Sequence, residues 1–149
     1  MAGKDKLTRG VRFKVDDSGG TLRDLSGDLI PGSASGFGFD APEVDMTGES
    51  ETVTNFLADR LNNEITARFH ANTTATTGAS TVLNGILQKV VTVTGQIGSG
   101  GAAPTTGDLE FSGEYVCLKA TLVSDGGRMV HDCVFKPTGS TPPAWGTVA

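Results

Sequence analysis

Apolar and polar residues alternate with a period of two over several stretches of this chain, and that alternation predicts strands half-buried on one face. Val11, Phe13 and Val15 alternate with Arg12 and Lys14, and Asp17-Ser18-Gly19-Gly20 then supplies a turn into a returning strand over Thr21 to Leu29. Ile65, Ala67, Phe69 and Ala71 alternate with Thr66, Arg68, His70 and Asn72, the cleanest strand pattern in the sequence, over Glu64 to Thr73. Lys89 to Gln96 is a β-branched run. Leu109 to Val123 and Arg128 to Phe135 flank Ser124-Asp125-Gly126-Gly127, a hairpin signal. One helix is predicted over Gly78 to Lys89, with Thr77 or Ser80 as its N-cap and Val82, Leu83, Ile86 and Leu87 as its apolar stripe. Phe56 to Leu61 fits one helical turn. The fold class is therefore mostly β: an antiparallel sandwich or barrel of six or seven strands with one flanking short helix.

Three stretches lack this periodicity. Residues 1–10 form a basic N-terminal arm, residues 30–50 a long Gly-, Ser-, Asp- and Pro-rich loop, and residues 137–149 an extended tail with Pro142-Pro143 and Trp145. Gly95 to Gly107 is a flexible linker. A loop of the length of residues 30–50 in a compact domain is usually functional or ordered by a partner. With 149 residues and no internal repeat, the expectation is one domain spanning 1–149.

Charge sharpens the picture of the two first stretches. Lys4, Lys6, Arg9, Arg12 and Lys14 stand against Asp5 alone in the first fifteen residues, a net of +4, whereas residues 16–51 hold nine acids and one base, a net of −8. Such opposed segments suit a head-to-tail contact between copies. The overall charge of −5 argues against wrapping nucleic acid, because a binder presents clustered Lys and Arg to phosphates. No apolar run approaches a membrane span or a signal-peptide core, so a soluble protein without a membrane anchor, made in a cytoplasm, is expected.

Candidate chemistry is sparse. His70 and His131 are the only histidines; without HxH or HxxxH spacing they read as surface or interface groups. Cys117 and Cys133 fall on opposite arms of the last hairpin; pairing 117 with 135 and 119 with 133 makes them diagonal neighbours, read as reduced, buried thiols. The Gly95–Gly101 passage lacks the Lys-Ser/Thr ending of a P-loop, and the acidic stretch lacks EF-hand spacing. Neither catalytic residues nor a cofactor or metal site is assigned, and an enzyme is not expected.

The order of short phrases carries a family resemblance. Leu25-Ser26-Gly27-Asp28-Leu29, then Val44-Asp45-Met46-Thr47-Gly48-Glu49-Ser50, then Leu61-Asn62-Asn63-Glu64-Ile65-Thr66 before the helix, and later Phe111-Ser112-Gly113-Glu114-Tyr115-Val116, together resemble the major tail tube proteins of long-tailed, siphovirus-type bacteriophages over residues 10–136. Arg60-Leu61-Asn62-Asn63 departs from the Gly-Leu phrase often found before that family's central strand. The resemblance implies a structural virion protein, assembled in the host cytoplasm, whose hexameric rings stack into a hollow tube that conducts DNA without binding it specifically. It implies as partners further copies of the chain, a tape-measure protein, a tail terminator and tail-tip proteins. On this expectation the contacts between subunits and rings fall to Lys4, Lys6, Arg9, Phe37, Phe39, Asp40, Val44, Asp45 and Met46, with Phe37, Phe39 and Met46 as the apolar anchors. Two alternatives are a head decoration or head–tail connector protein and a carbohydrate-binding β-sandwich; the latter wants several exposed aromatics, and Trp145 and Tyr115 are the only Trp and Tyr.

Overall fold

The computed structural model describes residues 10–58, 62–139 and 142–149. Nine strands and one α-helix are seen among them: β1 (Val11–Asp16), β2 (Leu22–Asp24), β3 (Glu43–Asp45), β4 (Phe56–Ala58), β5 (Ile65–His70), α1 (Ala79–Ile86), β6 (Val90–Ile97), β7 (Leu109–Asp125), β8 (Arg128–Pro137) and β9 (Ala144–Thr147). Seven strands form one antiparallel sheet in the order β2-β1-β6-β7-β8-β5, with β9 also on β7, and β3 and β4 form a separate pair. The protein is mostly β, as the periodicity predicts.

The alternation that predicts the strands also fixes which face is buried. Phe13 and Val15 of β1, Ile65, Ala67 and Phe69 of β5, and Cys133 and Phe135 of β8 are fully or almost fully buried, while the residues between them are partly exposed. Phe13 makes ring contacts with Phe69 at 5.2 Å and Phe135 at 6.0 Å. Strands near opposite ends of the sheet order, β1 against β5 and β8, thus meet across one interior, so the sheet is rolled.

Residues 25–40 join its two edges. The Leu25 amide donates to the Phe13 carbonyl of β1, and from there on the chain follows the outer edge of β5: Ile30 N–H donates to Arg68 O, Ser35 N–H to Thr66 O, and Asp40 pairs with Asn62. The first part of the expected 30–50 loop is therefore a seam rather than a loop. Its Phe37 sits between Phe13 and Phe111, with ring centroids 6.1 Å from each. A Cβ on Gly95 would lie 2.4 Å from that ring, so β6 must carry glycine there. The strand continues past Gly95 to Ile97, where a linker was expected.

Strand β7 is the longest element because both of its edges are used. On one edge it pairs with β6 from Leu109 to Val116. On the other it pairs with β8 and then, after a detour through Pro142 and Pro143, with β9, whose Trp145 ring lies 4.9 Å from Phe111. The C-terminal tail thus docks on its own sheet. Gly126 and Gly127, at φ 59° and 84°, make the two-residue turn of the β7–β8 hairpin. An extra residue at Leu118 shifts the register, so Cys117 faces Phe135 as expected but Cys133 faces Ala120 instead of Lys119.

Helix α1 closes one end of the interior with Ala79, Val82, Leu83 and Ile86. Neither Thr77 nor Ser80 caps it. Its N-cap is Gly78, without a side-chain bond, and the carboxylate of Asp28 accepts the Ala79 amide instead, at 3.1 Å from the seam. A negative group there also complements the helix dipole. Leu87 lies beyond the helix and is exposed, unlike the other three residues of the expected stripe. The returning strand after β1 is only Leu22–Asp24, because Asp24 turns the chain by accepting from Ser26.

Candidate functional site

After the seam the chain leaves the barrel. Among the described residues strands β3 and β4 pair only with each other, Glu43 against Ala58, Val44 against Leu57 and Asp45 against Phe56, and Met46 N–H extends the ladder to Asn55 O at 2.8 Å. Phe56–Ala58 is thus a strand, where one helical turn was expected. The tip is held by short-range polar bonds: Thr47 N–H donates to the Asp45 carboxylate, Asn55 N–H donates to the Thr47 hydroxyl, Glu51 N–H donates to Gly48 O, and the Asn55 amide donates to the Glu51 carboxylate. Hydrogen bonds from the hydroxyl and amide of Thr47 hold the Asp45 carboxyl below its ordinary pKa.

Every residue of this arm's two strands is exposed. Val44 is 39%, Met46 56%, Val53 70%, Phe56 51% and Leu57 59% exposed, and none belongs to the hydrophobic core. Glu43, Asp45, Glu49 and Glu51 surround them, with no Lys or Arg between Arg23 and Arg60. A lone two-stranded hairpin is marginal in water and gains by packing its apolar side chains against something else. The arm can therefore serve as an apolar plug with an acidic rim.

The residues expected at an interface divide accordingly. Val44, Asp45 and Met46 lie on the arm. Phe37 does not serve an interface, because its ring is committed to its own barrel. Phe39 is half-exposed at the rim and packs edge-on against Phe111 at 5.7 Å, and Asp40 is exposed but tied through its backbone to Asn62. Lys4, Lys6 and Arg9 lie outside the described residues. Sequence reasoning missed Val53, Phe56 and Leu57. The available signal was a second short apolar run, Phe56-Leu57-Ala58, that pairs with Glu43-Val44-Asp45 across a turn rich in Gly, Ser and Thr.

His131 corrects the surface reading. It is 3% exposed, and its Nε2 lies 2.8 Å from the hydroxyl of Ser80, itself 6% exposed. The Ser80 oxygen accepts the Asn72 amide, and the Asn72 side chain donates to Asp28. The group ties α1, β8, the seam and the end of β5 together, with Ser80 and His131 buried and Asn72 and Asp28 partly exposed. His131 Nδ1 has no hydrogen-bond partner among the described residues. His70 is partly exposed, on the outer side of β5.

Cys117 and Cys133 are buried free thiols. Burial pushes Cys117 up to about 11, and burial together with the neighbouring Cys117 and Asp132 raises Cys133 further. Among the described residues no three His, Cys, Asp or Glu side chains converge to hold a metal ion, and no helix is long and apolar enough to cross a membrane. In comparisons with known proteins, no family model matches the chain, and no curated protein matches it.

Proposed function

We propose that this chain is a structural subunit that assembles with copies of itself, and that the assembly is a tube of stacked rings of the phage tail-tube kind. The observation that carries the reading is the β3–β4 arm, an isolated hairpin with exposed Val44, Met46, Phe56 and Leu57 on a barrel whose own core is complete without them. A surface of that kind in water favours association. The rolled sheet with one flanking helix and the order of the phrases in the sequence support the more specific part of the proposal. A net charge of −5 favours a lumen that lets DNA slide rather than stick. On this reading the subunit acts in the virion, with a tape-measure protein, a terminator and tail-tip proteins as its other partners.

The test replaces residues 43–58 by a short Gly-Ser link and compares the two proteins by negative-stain electron microscopy and sedimentation. The complete chain is expected to form hollow rings or tubes, and the shortened chain a folded monomer. Tubes formed without the arm would overturn the proposal. A deletion over residues 36–47 is the wrong probe, since it would also remove Phe37 from the barrel core.

A further inference from the structure

The arm needs a receiving surface, and one region of the barrel has the complementary character. Strand β6 begins at Val90, so the edge of β7 that it covers up to Val116 is uncovered beyond that point. Among the described residues no strand pairs with this edge from Leu118 to Asp125; β8 lies on the other one. The backbone bridge between Leu87 and Cys117, with Gln88 N–H donating to Cys117 O at 2.8 Å, sets Leu87 beside the start of the uncovered stretch. Gln88, at φ 66°, ends the helical path there. Leu87 is 48%, Val90 60%, Leu118 51% and Leu122 49% exposed. Two cations stand among them. Lys119 bonds Asp132 at 3.2 Å, whereas Lys89 makes no ion pair with another described residue.

Resting on the self-assembly reading, we infer that the β3–β4 arm of one copy docks on the Leu87–Leu118 edge of the next copy. Three properties of the two surfaces match. Each exposes a group of large aliphatic or aromatic side chains that its own barrel does not use. The arm is acidic, with Glu43 and Glu49 free of ion pairs among the described residues, and the receiving edge brings Lys89. The uncovered β7 backbone can also accept a short strand of the arm by β-augmentation. Because two different patches meet, the contact is head-to-tail. Docked in one direction it propagates into a ring or an open polymer, whereas a reciprocal exchange of arms between two copies would stop at a dimer.

The experiment uses two full-length single variants, Leu57→Asp on the arm and Leu118→Asp on the edge, with sedimentation velocity as readout. Both side chains are exposed, so melting temperatures should match the parent. Each variant alone should stay monomeric, with self-association at least about tenfold weaker than the parent, the loss expected for an interface anchor. Mixed together they should form a one-to-one pair and stop, since each supplies the surface that the other lacks. Independently, Lys89→Glu should weaken association and Glu43→Lys in the same chain should restore it. If Leu118→Asp assembles like the parent while Leu57→Asp does not, the receiving face is wrong and the arm reading survives. If both assemble like the parent, or the parent stays monomeric at the highest attainable concentration, both fall. Two inactive variants that do not pair on mixing overturn the head-to-tail contact.

Discussion

Residues 25–40 and residues 43–58 are neighbouring halves of one acidic, glycine- and serine-rich passage, yet one becomes part of the barrel and the other leaves it. Both carry scattered apolar residues. The first half finds backbone partners on β1 and β5 and delivers Leu25, Ile30, Ala34 and Phe37 inward. The second pairs with itself and keeps Val44, Met46, Phe56 and Leu57 outside. Composition does not separate the two fates. What separates them is whether a free sheet edge stands where the segment passes, because unpaired backbone groups are satisfied there and the side chains follow.

The sharpest way to break the comparison is to truncate one aromatic in each half. Phe37→Ala should cost about 3 kcal/mol of stability, a large-to-small change against Phe13 and Phe111, with chemical denaturation as the measurement. Phe56→Ala should change stability by under about 0.5 kcal/mol and act on association instead. Equal losses of stability from the two would mean that the arm packs on its own barrel.

Next in size is the tie between seam and helix. Asp28 accepts from the Asn72 side chain and from Ala79 N–H, so Asp28→Ala removes a distant helix cap and leaves two donors unsatisfied. A loss of about 1–2 kcal/mol is expected, with faster hydrogen exchange in the first turn of α1. An unchanged exchange rate there would show that the helix is held by its apolar face alone.

Smaller still is the thiol contribution, and it belongs wholly to the barrel. The folded value of Cys117 near 11 lies above its ordinary 9.0. The associated stability is therefore complete below about pH 9 and declines as pH rises toward 11, where the unfolded chain ionises first. Alkylation by a thiol reagent at pH 8 should be slow in the native protein and fast after unfolding; rapid native labelling would contradict the burial of both cysteines.

Much of the barrel was legible in the sequence because period-two alternation marks a sheet with one buried face, as in Ile65, Ala67 and Phe69. The Ser124–Gly127 signal located the last hairpin, but its turn is Gly126-Gly127 alone rather than Asp125-Gly126-Gly127, which moves the pairing by one residue up to Lys119, and the extra residue at Leu118 restores the expected pair of Cys117 with Phe135. Long-range partners were the hidden part. His131 shows no local sign that Ser80 will reach it, and the cap from Asp28 spans 51 residues. Similarly, Phe37 and Met46 look alike in sequence, both apolar in a polar passage; the edge of β5 beside one and the absence of any such edge beside the other decide their roles. Half of the candidate site, Val44 to Met46, could be named from the chain. The other half, Phe56 and Leu57, was lost to a reading of the run as helical.

The least effect on stability is expected from acid, and within the arm it acts through one carboxylate. Asp45 is held below its ordinary pKa of 3.8 by hydrogen bonds from Thr47, in a fully solvated position. Its stabilising bond is intact above that ordinary value and is lost as pH falls through the lower folded one. The carboxylate bond at the base of the tip sets the geometry of Thr47, whose hydroxyl accepts from Asn55 across the hairpin. Acidification below about pH 4 should therefore loosen the arm before the barrel unfolds, since no such bond connects Asp45 to the core. Amide signals of Met46, Thr47 and Asn55 followed by NMR should shift and broaden together, while those of β5 and β8 stay in place. Asp45→Asn should weaken the pH dependence of these arm signals, most of all that of Thr47. If the barrel signals move in step with the arm, the two halves of the passage are one cooperative unit, and the contrast between them is one of exposure only.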